Sequence, residues 1–362
     1  MMMRQPWSGQ LAVFAASAMA IGSFAFASAV LGQAPLAATD IGKAVQVQPE
    51  LAFDRNHDFV TWQQKLRGRL RSILAIPNDW EPDVRWSATR DSDNERYTTD
   101  RIEFVAEPGE VVPGYLLRPK GVKPPLPVMI CLQGHSPGMH ISIGRGKTPG
   151  EIASIKGGRD IAIQAVARGW AALAIEQRAF GERAVPGISC NDVALRELLK
   201  GRPLTGQRVF DVMRAVDFIA TQPDLDGKRI GCMGNSAGGT VSFYAACVDE
   251  RTQLAVVSCS FGTFEATWLY RKHCACGYLP GLLKVADMPD LAGLVAPRHL
   301  ILVAGKKDHI ARFDGVQKGY GTARRAFEQA GCPNHVVLLA AEGGHQFYPD
   351  LAWPVIQRSL NK

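Results

Sequence analysis

The chain has 362 residues, 46% of them hydrophobic and 21% charged, which is enough apolar material for one large core and too much for a mainly disordered protein. Its net charge of +7 comes from Lys and Arg interspersed with acids, as in RDSDNERYTTDR (90–101), with no basic tract and interleaved aromatics, so nucleic acid is not an expected partner. Eight cysteines in a chain this long do not make a small disulfide scaffold.

Arg4 is followed by an uncharged stretch from Gln5 to Thr39 rich in Ala, Phe and Val, which reads as an export signal over 1–29. Ala25-Phe26-Ala27 and Ala27-Ser28-Ala29 both offer cleavage sites, with an uncleaved anchor as the alternative. No later run is apolar for the roughly twenty residues a span needs, so no stable membrane insertion is expected after cleavage, and the location is periplasmic or extracellular. Residues 30–95 form an N-terminal extension whose 54–74 stretch carries apolar residues at helical spacing (Phe59, Trp62, Leu66, Leu70, Ile73, Leu74) and stops at Pro77.

The main domain is expected over 96–362. RIEFVAEPGEVVPGYLLRPKG (101–121) reads as two strands around a Pro/Gly turn, and 127–132 is a continuous apolar run typical of a strand covered on both faces. Helix and strand then alternate: a helix at 160–168, strand WAALAIE, a helix at 206–221, strand RIGCM and a helix from 237 to about 247. Strand LAVVSCS, an irregular stretch, strand HLILVAG, a helix at 315–330, strand HVVLLA and a last helix at 350–359 follow. This alternation predicts an α/β fold with a mostly parallel central sheet and helices on both faces. No internal repeat or low-complexity linker is present, and nothing in the sequence specifies an oligomeric state.

The pattern Gly234-Asn235-Ser236-Ala237-Gly238 stands between the strand RIGCM and a helix. A serine on a tight strand-to-helix turn needs small neighbours, exposes its Oγ, and has the N–H groups of the helix beside it to stabilise an oxyanion. A hydroxyl is a poor nucleophile until an oriented base takes its proton. Asp308 follows HLILVAG and His345 follows HVVLLA, in the chain order Ser, Asp, His that such sheets use. Ser236 is therefore the expected nucleophile, His345 the general base, and Asp308 the residue that holds the imidazole; His309 and Glu265 are weaker rivals. The oxyanion hole is expected from the backbone N–H groups of Ala237 and His135, with Ser136 as substitute for the second.

Other motifs point less sharply. Gly146-Lys147-Thr148 lacks the earlier glycine and the preceding strand of a phosphate-binding loop. His135 and His140 without a nearby carboxylate make a weak metal case, and the spacing of His273-Cys274-Ala275-Cys276 fits no common zinc site, so no metal or other cofactor is expected. Cys131, Cys232, Cys247 and Cys259 lie in apolar periodic segments and read as buried. Cys190, Cys274 and Cys276 lie in loop-like sequence, where a bridge from Cys190 to Cys274 or Cys276 is the expectation in an oxidising compartment. The 261–297 stretch, with Trp268, Tyr270 and Tyr278 among glycines and prolines, reads as a cap shaping a substrate pocket.

Three stretches carry a family resemblance: PLPVMICLQGHS (125–136), AIEQRAFGER (174–183) and RAVDFIATQPDLDGKRIGCMGNSAGG (214–239). From about Arg101 onward the chain resembles α/β-hydrolases of the dienelactone hydrolase and acetyl xylan esterase/cephalosporin-C deacetylase group. Gln133, a candidate pocket residue, stands where that group usually begins its oxyanion motif with histidine, Ala179 replaces a usual glycine, and Ser236 replaces the cysteine of dienelactone hydrolases proper. The resemblance implies an α/β-hydrolase fold and an exported serine carboxylesterase acting on a small-molecule or carbohydrate ester, of the acetyl xylan esterase kind. A peptidase or amidase of the same fold, or a non-catalytic binding protein on that frame, are the alternatives.

Overall fold

Parallel strands must be joined by crossovers, and the helices that make them here cover both faces of one nine-stranded sheet in the order β1-β2-β3-β5-β4-β6-β7-β8-β9. The structure is a computed structural model that describes residues 47–360, all within one compact unit. The expected export signal lies outside the described residues. No described helix is long and apolar enough to cross a membrane.

The strands are β1 (Trp86–Asp93), β2 (Tyr97–Glu107), β3 (Glu110–Pro119), β4 (Leu126–Leu132), β5 (Ala171–Ile175), β6 (Leu225–Asn235), β7 (Thr252–Ser258), β8 (His299–Gly305) and β9 (Val336–Ala341). β1, β2 and β3 form an antiparallel meander joined antiparallel to β5, and every pairing from β5 to β9 is parallel. The helices are α1 (Phe59–Ile73), α2 (Pro149–Ser154), α3 (Ile161–Val166), α4 (Cys190–Leu199), α5 (Leu204–Ala220), α6 (Ala237–Val248), α7 (Leu282–Val285), α8 (Met288–Leu291), α9 (Phe313–Gln329) and α10 (Pro349–Leu360). One sheet face is covered by α1, α5, α6 and α9, and the other by α3 and α10. Strands β4, β5, β7 and β8 and the second half of β6 (230–235) are therefore almost wholly buried, which explains their apolar runs.

Among the elements that differ from the sequence expectation are β1 and α4. β1 is an edge strand with nearly every residue exposed, so it has no apolar alternation to betray it, and it extends the sheet ahead of residue 96. α4 forms where loop was expected: Ser189 caps it by accepting from the Asp192 N–H at 3.2 Å, and only Ala194 on it is buried, which leaves a weak amphipathic signal.

The N-terminal helix is integral to the fold. Asp58 caps α1 by accepting from the Thr61 N–H, and Trp62, Leu66 and Leu70 form its buried stripe. Gln63 donates to the carbonyls of Gly293 and Ala296, and Arg67 to those of Cys247 and Leu294, so the helix satisfies backbone groups at the ends of α6 and the 292–296 segment. At the tip of the β2–β3 hairpin, Glu107 pairs with Arg178 at 2.7 Å and Glu110 with Arg183 at 2.9 Å; both arginines also grip the buried Asp211 on α5. This network clamps the turn after β5 to α5 and to the β2–β3 hairpin.

Replacing the fully buried Leu66 by Ala should cost about 2–5 kcal/mol of unfolding free energy by urea denaturation, whereas Val60→Ala, on the exposed side of the same helix, should stay within about 0.5 kcal/mol. Equal small effects would mean that α1 is not part of the cooperative unit.

Candidate active site

Ser236 sits at the sheet's C-terminal edge, where β6 gives way to α6, with φ 59 and ψ −127. A side chain other than glycine's seldom adopts that region, and it persists only where the surroundings fix it. Here the Ser236 N–H donates to the Ser258 carbonyl at 2.8 Å, and its own carbonyl accepts from the Thr240 N–H at 3.0 Å. The glycines around it are required by close approach. A Cβ at Gly238 would lie 2.2 Å from the Leu132 carbonyl oxygen, and one at Gly234 would lie 2.3 Å from the Gly238 carbonyl carbon. Gly134 is as constrained, since its Cβ would stand 3.0 Å from Ser236 Cβ.

The loops after β8 and β9 are zipped together by Lys306 N–H to Ala341 O (2.8 Å) and Lys307 N–H to Gly343 O (2.9 Å). That register brings His345 Nδ1 within 2.8 Å of Asp308 Oδ2. Asp308 Oδ1 also accepts from the Ile310 N–H at 2.8 Å, which fixes the carboxylate. Burial opposes ionisation of Asp308, but the bond from His345 and the attraction between the two outweigh it and hold the carboxyl below its usual range. Lys306 turns away to pair with Glu342, leaving Asp308 to the imidazole.

Cys259, which sequence reasoning read as a buried hydrophobe, links the two halves of the site. It lines the same cavity as Ser236, and its Sγ lies within 4.8 Å of the facing Asp308 and His345 atoms. Burial pushes its thiol up to about 12, so it is not a rival nucleophile. Ser236 Oγ and His345 are not hydrogen-bonded to each other among the described contacts; such bonds commonly tighten only in the substrate complex. Of the rivals, Glu265 is exposed on the surface, and the His309 ring stands 6.1 Å from that of His345.

A cavity of about 300 Å³ opens above Ser236, with Ala237 and His135, the expected oxyanion donors, on its wall. Trp268 lines it, stacked on His273 at 5.0 Å. The other expected pocket residues do not. Tyr270 is half exposed under the Arg312 guanidinium, and Tyr278 turns its hydroxyl to the Trp268 carbonyl. Gln133 is buried beneath the oxyanion loop, where its side-chain amide donates to Glu176 at 2.5 Å and its backbone carbonyl accepts from the Gln177 side chain at 2.5 Å. Cap sequence marks aromatics but not their direction, whereas Gln133 points at a carboxylate brought in by β5. The lining also includes Arg208, Arg271 and Lys272 and no carboxylate, a charge bias that linear sequence did not reveal.

Cys190, Cys274 and Cys276, the candidates for a bridge, come together without an S–S bond in this structure, the Cys190 and Cys274 sulfurs lying 3.8 Å apart against about 2.05 Å in a disulfide. Cys131, Cys232, Cys247 and Cys259 are buried, each within or just after a core strand or helix. His140 does have a carboxylate partner, Glu151 at 3.3 Å, but that acid is occupied in capping α2 together with Thr148.

Glu176 is the polar group on which the oxyanion loop rests, accepting from Gln133 and from the Met139 N–H at 3.1 Å. Burial pushes its carboxyl up to about 7, against the hydrogen bonds from the Met139 and Glu182 amides. A carboxyl raised in the folded state favours folding most below its unfolded value near 4.5, and that advantage is lost as pH rises through about 7. Glu176→Gln should therefore flatten the wild-type fall in stability between pH 4.5 and 7, a difference on the order of 3 kcal/mol at the upper end. Thermal melts of both proteins across that range test this; parallel profiles would contradict it.

A model of the Abhydrolase family matches residues 37–191. The curated Bacillus subtilis protein named "Putative hydrolase YtaP" is 26% identical over 239 residues, covering 65% of this chain and 78% of its own. Among solved structures, a Bacteroides fragilis protein described as a "putative acetyl xylan esterase" superposes with a TM-score of 0.70 at 20% identity, covering 84% of this chain and 81% of that one. A glucuronoyl esterase from Solibacter usitatus gives 0.66 at 15% identity, covering 87% and 97%. Acetyl xylan esterase 1 from Thermoanaerobacterium sp. gives 0.59 at 16%, covering 83% and 94%.

Proposed function

We propose that this chain, whose fold is that of the α/β-hydrolases, is a serine carboxylesterase that works through an acyl-enzyme. The observation that carries this reading is the 2.8 Å bond from His345 Nδ1 to Asp308, held by two zipped loops on the same sheet edge as the strained Ser236 turn. With Nδ1 engaged, the imidazole presents Nε2 to take the proton of Ser236 Oγ as that oxygen attacks the ester carbonyl. The carbonyl oxygen gains charge beside the N–H groups of Ala237 and His135, and the alcohol leaves with the proton from His345. Water, deprotonated by the same imidazole, then releases the acid and restores Ser236.

Substrate size follows from the cavity. About 300 Å³ is at the small end for ligand sites and suits a short acyl group with at most one sugar unit within it. An acetylated carbohydrate, met outside the cell if the N-terminal signal acts as expected, is the substrate class we assign; acetyl xylan esterases among the structural neighbours support it. One observation favours a second reading. The cavity rim carries Arg271 and Lys272 with no lining acid, which suits an ester of a uronic acid, the class suggested by the glucuronoyl esterase neighbours.

Hydrolysis of p-nitrophenyl acetate, acetylated xylan and a glucuronate methyl ester by the purified protein separates these readings. Ser236→Ala should lower kcat/KM by about 10⁴-fold or more, and Asp308→Asn by about 10³–10⁴-fold, with folding unchanged by circular dichroism. Preference for acetyl esters supports the first substrate class and preference for the uronate the second. A Ser236→Ala protein as active as wild type would overturn the mechanism.

A further inference from the structure

Four side chains that the proposed ester chemistry does not use converge beside the cavity. His135 comes from the loop after β4, Cys190 opens α4, and Cys274 precedes and Cys276 lies within the 275–277 turn of the cap. One imidazole nitrogen and three sulfurs, drawn from three distant segments, all lie within 4.8 Å of one another. The Cys190 and Cys274 sulfurs are 3.8 Å apart, and Cys276 Sγ is 3.3 Å from His135 Nε2. A tetrahedral zinc ion with Zn–S near 2.3 Å sets its sulfurs about 3.8 Å apart, and with Zn–N of 2.0–2.1 Å it sets sulfur and nitrogen about 3.6 Å apart. The observed spacings match the first and fall within a few tenths of an ångström of the second.

A separate observation is the charge beside this cluster. Arg208 is 1% exposed and has no carboxylate partner among the described residues; its guanidinium donates to the Arg178 carbonyl, through Nε at 3.0 Å and Nη2 at 2.6 Å, and to Cys190 Sγ at 3.2 Å. A buried cation without a counter-charge is costly. Zinc with three thiolates and a neutral imidazole carries a net charge of −1, which Arg208 would balance, and a hydrogen bond to a ligand sulfur is the kind of outer contact that tunes such sites. The frame is also fixed: Asn191 accepts from the Ala275 N–H at 3.0 Å, and the Thr205 hydroxyl donates to the Cys276 carbonyl at 2.5 Å.

We propose that His135, Cys190, Cys274 and Cys276 bind one zinc ion in a closed, structural Cys3His site. Soft thiolates in tetrahedral array select zinc over the harder divalent cations, and four protein ligands leave no open position for substrate or water. Binding releases the thiol protons to solvent and needs no oxidant. The ion would pin the loop that bears His135 to α4 and the cap, closing one wall of the cavity without entering the reaction. No short motif announces such a site, because its four ligands are spread over 142 positions, from 135 to 276.

The full chain, purified without added chelator and with reductant present, should contain close to one zinc per chain by plasma mass spectrometry. Zinc-edge X-ray absorption should show three sulfurs near 2.3 Å and one nitrogen near 2.0 Å. Cys276→Ser and His135→Ala should each weaken zinc retention at least tenfold against a chelator. Because such variants can misfold, the wild-type spectrum and a thiol count on the unfolded protein decide independently. The proposal is overturned if metal-free reduced protein takes up no zinc, if bound zinc shows no sulfur ligands, or if peptide mapping finds Cys190 joined to Cys274 or Cys276 as a disulfide in most of the protein. These readouts do not depend on ester hydrolysis, so the metal site and the esterase reading stand or fall separately.

Discussion

The contact on which the site depends is the packing of the Ser236 turn against the end of β4. Gly238 lies so close to the Leu132 carbonyl that no side chain fits between them, and Gly134 approaches Ser236 from the other side. Because β4 and β6 are hydrogen-bonded neighbours in the sheet, this contact sets the distance between the serine and the loop that carries His135. Interiors pack too tightly to absorb a displacement of an ångström, so the loop, the cavity wall and the cap residues that meet His135 inherit their positions from it.

Much of this was legible in the sequence, for identifiable reasons. Central strands covered on both faces write themselves as apolar runs, and the strand-glycine-serine-glycine-helix pattern at 234–238 has few structural meanings. Asp308 and His345 could be located because each follows a strand in the expected order, and the structure sets them 2.8 Å apart. Edge strand β1 was illegible because exposure on nearly all its residues removes the alternation a reader relies on. Helix α4 was hidden for a related reason, since a single buried alanine leaves no stripe.

The side-chain directions in the cap were a different kind of failure. Trp268, Tyr270 and Tyr278 are equivalent in composition, yet only the first faces the cavity, because the local turns of an irregular segment decide orientation and those turns have no period. The same holds for Cys190, Cys274 and Cys276. Their meeting with His135 is a property of the tertiary fold, and no spacing along the chain encodes it.

The charge bias of the cavity has a consequence for how molecules reach it. Arg271 and Lys272 stand exposed at the mouth, and no acid lines the interior to cancel them. Low-dielectric walls focus such a field outward, so a negatively charged glycan or polymer end would meet the opening more often than its free diffusion dictates. Salt shortens the reach of that field to a Debye length of about 8 Å at physiological ionic strength. The basic mouth thus raises the rate at which any acidic ligand meets it, most strongly in dilute media.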